Sequence, residues 1–384
     1  MTRYIRSLDG IRALAVALVM LFHFQLFDAG WVGVQIFFVL SGFLITRILL
    51  DEKNQSLNFY LKRFYWRRSL RIFPLYFTYL LLVSTVFLFV SMPETTTGML
   101  PYLYTYTFNF TRLSAEWAHS PLFTHFWSLS VEEQFYLVWP LMVFLLKDKW
   151  LKRALIIIIV AGPLCRYLLG EWLIGSNLSD EAAGEAIYWF TLSHFDAFAI
   201  GGAIALFRLP ERIVYPGRLL IATLALTALA GVVNWFMLGQ QGIEQNIHNF
   251  GFGVGVVQNY QHVWSYTLLN FCFAAFIISL ITSNTFSRSY PMRIFEHPVM
   301  VAIGRVSYGM YVFHWAIMAV FLKVMAPVVG KGWLSFGLYF CLVWFISWLS
   351  FQQYENRFLR LKDRLFSIRK PKEVKANAAE MASL

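Results

Sequence analysis

Ten apolar stretches, each long enough to cross a bilayer, leave this chain little choice of fold. They run over about 11–28, 31–50, 73–92, 131–146, 151–170, 187–207, 217–238, 263–283, 299–325 and 333–351. A helix needs roughly 20 apolar residues to cross the hydrocarbon core. Of the 384 residues, 58% are hydrophobic and 14% charged, against about 25% charged in soluble domains. Aromatic residues make up 18%, which suits interfacial belts. The expectation is an all-α polytopic integral membrane protein of about ten transmembrane helices.

Loop charge sets sidedness. Lys53, Lys62, Arg63, Arg67, Arg68 and Arg71 mark one cytoplasmic segment, and Lys147, Lys149, Lys152 and Arg153 a second. Only one span fits between the end of 73–92 and the second basic turn. The polar stretch 99–110 is therefore read as re-entrant or interfacial. Further on, 171–186 and 239–262 carry no Lys or Arg and lie outside, while Arg208, Arg212, Arg218, Arg288 and Arg293 lie inside. Lys323 and Lys331 run against the rule. Both termini come out cytoplasmic. Residues 1–356 form the membrane domain and 357–384 a basic cytoplasmic tail, of which 370–384 reads as disordered. The net charge of +11 follows from these turns and does not call for nucleic acid. Cys165, Cys272 and Cys341 fall in apolar segments and suggest neither a disulfide framework nor a metal site. No small-x-small cleavage site precedes Trp31, so the first helix is read as retained.

That first helix carries Arg12 and His23. Eleven residues at about 100° each make three turns plus roughly 20°, so both side chains share a face, about 16 Å apart along the axis. An ionisable group inside a membrane is a functional-site hypothesis by default. Snorkelling of Arg12 and helix packing by His23 explain the pair equally well.

Other stretches hold polar groups where lipid-facing residues would not. The basic, aromatic segment 58–74 reads as an amphipathic helix. Anchoring to anionic headgroups accounts for most such clusters; alternatively Arg67, Arg68 and Arg71 clamp phosphates near Arg12. Glu132 and Glu133 open a span, where Ser130 and Glu133 have capping-box spacing. Asp196, after His194 and Phe195, lies inside a span and needs a partner from another helix. Ser307, Tyr311 and His314 share a helical face. Glu355 ends the last span, where pairing with the basic tail accounts for it. There is no Gly-rich phosphate loop, nucleophile elbow or metal-ligand spacing.

At these residues the chain resembles the acyltransferase-3 family, multi-pass membrane acyltransferases of cell-surface sugars. The resemblance rests on Leu8-Asp-Gly-Ile-Arg-Ala-Leu-Ala-Val with Arg12, ten residues, then His23. It also rests on Gly33-Val-Gln-Ile-Phe-Phe-Val-Leu-Ser-Gly-Phe-Leu-Ile45, Arg67-Arg-Ser-Leu-Arg-Ile-Phe-Pro74 and Trp127-Ser-Leu-Ser-Val-Glu-Glu-Gln-Phe-Tyr136. One departure is His194, where the family often has Arg before Phe-Asp. Some relatives continue into a soluble hydrolase-like domain; a chain ending at Leu384 would be the stand-alone form.

The resemblance implies a bacterial inner-membrane enzyme with no permanently bound cofactor. It would move an acyl group, most often acetyl, from cytoplasmic acyl-CoA to a carbohydrate hydroxyl of lipopolysaccharide O-antigen, exopolysaccharide or peptidoglycan. Arg12, Arg67, Arg68 and Arg71 would hold the CoA phosphates. His23 would act as base or as covalent carrier. Glu132, Glu133, His314 and Asp196 complete the candidate catalytic set, with the glutamates and His314 on the acceptor side. Gly33 and Gly42 would let helices pack closely. The competing reading is a proton-coupled transporter or exporter, which also uses intramembrane His and Asp; against it, the halves show no repeat.

Overall fold

A computed structural model describes residues 4–86, 97–113, 122–243, 246–282 and 289–365, with positions 89, 120 and 286 between them. Its principal helices are α1 (Arg6–His23), α2 (Val32–Glu52), α3 (Leu57–Val86), α4 (Trp127–Leu145), α5 (Asp148–Gly175), α6 (Asp180–Trp189) and α7 (Phe195–Leu206). They continue as α8 (Pro216–Gln240), α9 (Gln261–Ile281), α10 (Pro298–Arg305), α11 (Ser307–Val324), α12 (Trp333–Ser350) and α13 (Asn356–Leu365). The chain is an all-α polytopic membrane protein. The expected disordered stretch 370–384 and the end of the 73–92 segment lie outside the described residues.

Seven described helices are long and apolar enough to cross a membrane, and an eighth span arises if the bent pair α6–α7 is counted as one. The sequence count of ten exceeds this by α1 and α4. Both are helices of near-spanning length, 18 and 19 residues. Their hydropathy is diluted by Asp9 and Arg12 in one and by Glu132, Glu133 and Gln134 in the other. The exterior suits lipid: Val160 and Val232 are each 66% exposed, which water would penalise.

Three local readings change. Segments 58–74 and 73–92 form one continuous helix, α3, of 30 residues. The 299–325 segment breaks at Val306 into α10 and α11. Residues 99–110 hold a five-residue helix, Leu100–Tyr104, and a 3-10 turn from Phe108, separated by Tyr106 at φ 53°. Neither piece has the length of a span.

The centre is α2 packed against α7. Gly42 faces the Phe198 carbonyl and Gly201 faces the Val39 carbonyl, so the two backbones touch where any Cβ would collide. Gly33 likewise abuts the Ala15 carbonyl of α1. Lys53 Nζ donates to the Leu146 carbonyl at 2.7 Å and to Asp148 at 2.9 Å. The two basic turns thus share one face, as their charge requires. Together they make the basic face of the molecule.

Candidate active site

Two adjoining cavities open from the basic face. The outer one, about 430 Å³, is lined by Tyr4, Asp9, Arg12, Arg47, Arg305 and Glu355 among others. The inner one, about 110 Å³, is lined by Arg68, Ser41, Glu132, Ser128, Ser307 and Tyr311 together with apolar residues of α2. Arg12, Leu44, Arg71 and Tyr308 belong to both walls. Arginines line both parts, and the narrower one adds Glu132, hydroxyls and apolar side chains.

Each wall is set by local folding. Arg12 Nη1 meets Asp9 Oδ1 at 2.5 Å, one turn back on α1. The Tyr4 hydroxyl donates to the other Asp9 oxygen at 2.5 Å, and Arg305 donates to the Tyr4 hydroxyl at 3.4 Å. Arg68 lies over the Tyr136 ring, 3.9 Å from its centroid, a cation–π contact. Tyr136 donates to Ser41 Oγ at 3.2 Å, and Ser41 donates to Glu132 Oε1 at 2.7 Å. Glu355 is buried by a π-helical turn over Phe351–Glu355, an irregularity that often marks functional sites. It accepts from Ser350 at 3.2 Å.

Beyond the inner cavity sit three imidazoles. The Tyr311 hydroxyl donates to the His125 carbonyl at 2.7 Å and lies 2.5 Å from Ser128 Oγ. One turn along α11, buried His314 puts Nε2 at 2.8 Å from His23 Nδ1 and Nδ1 at 2.7 Å from the Tyr311 carbonyl. The His23 and His314 rings stack with centroids 5.0 Å apart. His125 meets His314 edge to face at 4.7 Å. His23 ends α1 and is only partly buried. It lines neither cavity; the Tyr311–Ser128 pair lies at the inner cavity's wall, with His314 behind it.

The structure brings Arg12, Arg68, Arg71 and Glu132 onto one passage, and His23 together with His314. Other candidate residues lie elsewhere. Arg67 is 3.5 Å from Glu52, which also takes Arg63 at 3.3 Å; Arg67 lines neither cavity. Glu133 lines neither cavity, and its Oε1 is buried without a hydrogen-bond partner. The capping box does not form: α4 begins at Trp127, ahead of Ser130, whose hydroxyl donates back to the Phe126 carbonyl at 3.4 Å. Asp196 has the partner the sequence called for, Arg166 at 3.0 Å, both fully buried and away from both cavities. Thr267 donates to the same carboxylate at 2.5 Å. Arg166 also donates to the Ser193 and Val263 carbonyls at 2.5 and 3.0 Å, a brace across the α6–α7 bend. His194 joins that bend, 3.1 Å from Gln35 and 2.5 Å from the Tyr188 carbonyl. Glu355, expected at the surface with the tail, is instead part of the cavity wall.

His125, Trp315, Tyr4, Tyr308 and Arg305 escaped the sequence reading. His125 lies in a 3-10 turn, Thr124–Phe126, where no periodicity points inward. Trp315 lies within α11, and its indole reaches His23.

The acyltransferase domain model matches residues 5–351. The peptidoglycan O-acetyltransferase OatA of Listeria monocytogenes is 31% identical over 401 residues, covering 97% of this chain and 60% of that protein. The O-acetyltransferase OatA of Staphylococcus aureus is 28% identical over 82% of this chain and 51% of its own length. The putative peptidoglycan O-acetyltransferase YrhL of Bacillus subtilis is 35% identical over 53% of this chain and 33% of its own. The chain thus spans about half to three-fifths of the length of the first two relatives. No solved structure matches. With the family model covering nearly the whole chain, this protein belongs to the acyltransferase-3 family of multi-pass membrane acyltransferases.

Proposed function

We propose that this protein is a membrane O-acetyltransferase that takes an acetyl group from acyl-CoA at the basic face and delivers it to a hydroxyl of a cell-envelope carbohydrate. The observation that carries this reading is the arginine-walled passage running from the basic face toward the His23–His314 pair. Arg12, Arg68 and Arg71 suit the phosphates of CoA, since charge-assisted hydrogen bonds strengthen away from water. The narrow inner cavity suits the pantetheine arm and thioester. The names of the relatives favour peptidoglycan as the acceptor. With the basic face toward the cytoplasm of a bacterial inner membrane, both described ends of the chain lie inside, and His23 lies toward the outer side.

In the transfer, the thioester C–S bond breaks and an ester C–O bond forms. His23, held by His314, takes the hydroxyl proton and returns it to the departing thiolate. In the covalent variant, the imidazole first takes the acyl group itself and passes it on. Glu132 orders Ser41, Tyr136 and Arg68 along the wall.

The deciding experiment supplies labelled acetyl-CoA to membranes containing wild type, Arg12→Ala or His23→Ala, and reads label in envelope carbohydrate. Both variants are expected to insert and to lose transfer. Normal labelling by His23→Ala would remove the histidine from the chemistry. No transfer by wild type from acetyl-CoA would remove the donor assignment. Label on the wild-type protein that is missing from His23→Ala would select the covalent route.

A further inference from the structure

Trp315 follows His314 directly, and its indole reaches across to α1. Its Nε1–H donates to His23 Nδ1 at 2.9 Å. His314 Nε2 approaches the same nitrogen to 2.8 Å. An imidazole nitrogen offers either one proton or one in-plane lone pair. On the His314 side the assignment is fixed. Its Nδ1 faces the Tyr311 carbonyl at 2.7 Å, and a carbonyl only accepts, so that Nδ1 carries the hydrogen. Neutral His314 therefore offers a lone pair from Nε2.

His23 Nδ1 thus has two partners with opposite demands. Trp315 requires a lone pair there, which leaves the proton on Nε2. His314 requires a proton there, which leaves the lone pair on Nε2. A neutral pair meets one demand at a time. Only the second form makes Nε2 a base toward a hydroxyl, because the first already has a hydrogen on that nitrogen. The ionisable groups facing His23 are His314 from α11 and, behind it, His125 from the turn before α4. Among the described residues no carboxylate forms an ion pair with His23. Its tautomer is therefore set by these neighbours and not by an acid. The His125 ring lies parallel to the Trp315 indole, 6.4 Å between centroids and 5° between planes, and helps hold it in line.

We infer that Trp315 is a positioning residue that holds His23 in its Nε2–H tautomer, in competition with His314, which holds it in the Nδ1–H tautomer that is basic at Nε2. The base is latent while the indole is engaged and available when it is not. The catalytic consequence rests on the proposed role of His23; the tautomer assignment does not.

The test uses the full chain in lipid bilayers with ¹⁵N-labelled histidine, in wild type, His23→Ala to identify the His23 signals, and Trp315→Phe, which keeps a ring and removes the N–H. Wild type is expected to show His23 with hydrogen on Nε2 and a bare Nδ1. Trp315→Phe is expected to move hydrogen onto Nδ1. A wild-type spectrum with hydrogen on His23 Nδ1 overturns the inference even if the variant fails to fold, and so does an unchanged His23 tautomer in a folded variant. Acetyl transfer supplies the second readout. Freed of the indole, Nδ1 holds a proton more readily. The acid limb of the pH–rate profile should then shift, because neutral His23 has exchanged the indole for His314 as its partner at Nδ1. A purely structural role would lower the rate and leave that limb in place, which would overturn the catalytic consequence. Normal transfer by His23→Ala would instead sink the functional reading and leave the spectral result standing.

Discussion

Glu132 and Glu133 are adjacent in sequence and opposite in circumstance. Glu132 accepts from Ser41 at 2.7 Å on the wall of the inner cavity, whereas Glu133 lines neither cavity and has an unpartnered buried oxygen. Glu132 orders Ser41, Tyr136 and Arg68 along the cavity wall, and Glu133 does not. Glu132→Gln should lower acetyl transfer by about 100-fold, the scale of a lost acid–base or orienting group. Glu133→Gln should cost far less per folded molecule. Equal losses in a transfer assay normalised to folded protein would refute the distinction.

The arginines divide in the same way. Arg71 lines both cavities and Arg68 the inner one, while Arg67 is taken by Glu52 at 3.5 Å. A hydrogen bond to a charged group contributes about 1.5–3 kcal/mol, so Arg71→Ala should raise KM for acetyl-CoA by roughly 10- to 100-fold. Arg67→Ala should leave KM near wild type. Titrating acetyl-CoA in membranes of the three proteins decides it, and a matching rise in Arg67→Ala would overturn the division.

The α2–α7 contact makes a stability prediction. Gly42 faces the Phe198 carbonyl with no room for a Cβ. Overpacking a close contact costs about 1–3 kcal/mol. Gly42→Ala should lower the Tm of purified protein in detergent. Gly337, with open space around its Cβ position, provides the control: Gly337→Ala should leave Tm unchanged or raise it, since alanine favours a helix by about 1 kcal/mol. Equal shifts of the same sign would contradict the packing argument.

Hydropathy read the helical membrane class correctly because a bilayer penalises every alternative. Helical periodicity linked Arg12 and His23, and both lie on α1, Arg12 on the cavity walls and His23 beside His314. Periodicity failed among Arg67, Arg68 and Arg71. They span about 100° of helix, too narrow an arc for sequence to separate Arg67, beside Glu52, from Arg68 and Arg71 on the cavity walls. Asp196 called for a partner from another helix, and sequence did not say which. Its partner Arg166 lies 30 residues earlier, and nothing local announces the pairing. His125 and Trp315 were invisible as site neighbours because their roles depend on α1, α4 and α11 meeting at one point.

The Arg166–Asp196 pair separates scaffold from chemistry. Both side chains are fully buried at 3.0 Å, with Thr267 and two backbone carbonyls completing the network. Removing one partner strands the other charge, at a cost of about 3–5 kcal/mol. Asp196→Leu alone should therefore sharply reduce the yield of folded protein. Replacing both charges with apolar groups of similar volume is often close to neutral, so Arg166→Met combined with Asp196→Leu should recover much of that yield. The recovered double variant should transfer acetyl with a KM for acetyl-CoA near wild type, because neither residue lines either cavity. Folded yield by size-exclusion chromatography and transfer per folded molecule are measured together. A well-folded double variant with no activity would return Asp196 to the catalytic set, and an active one would establish it as a brace for the α6–α7 bend.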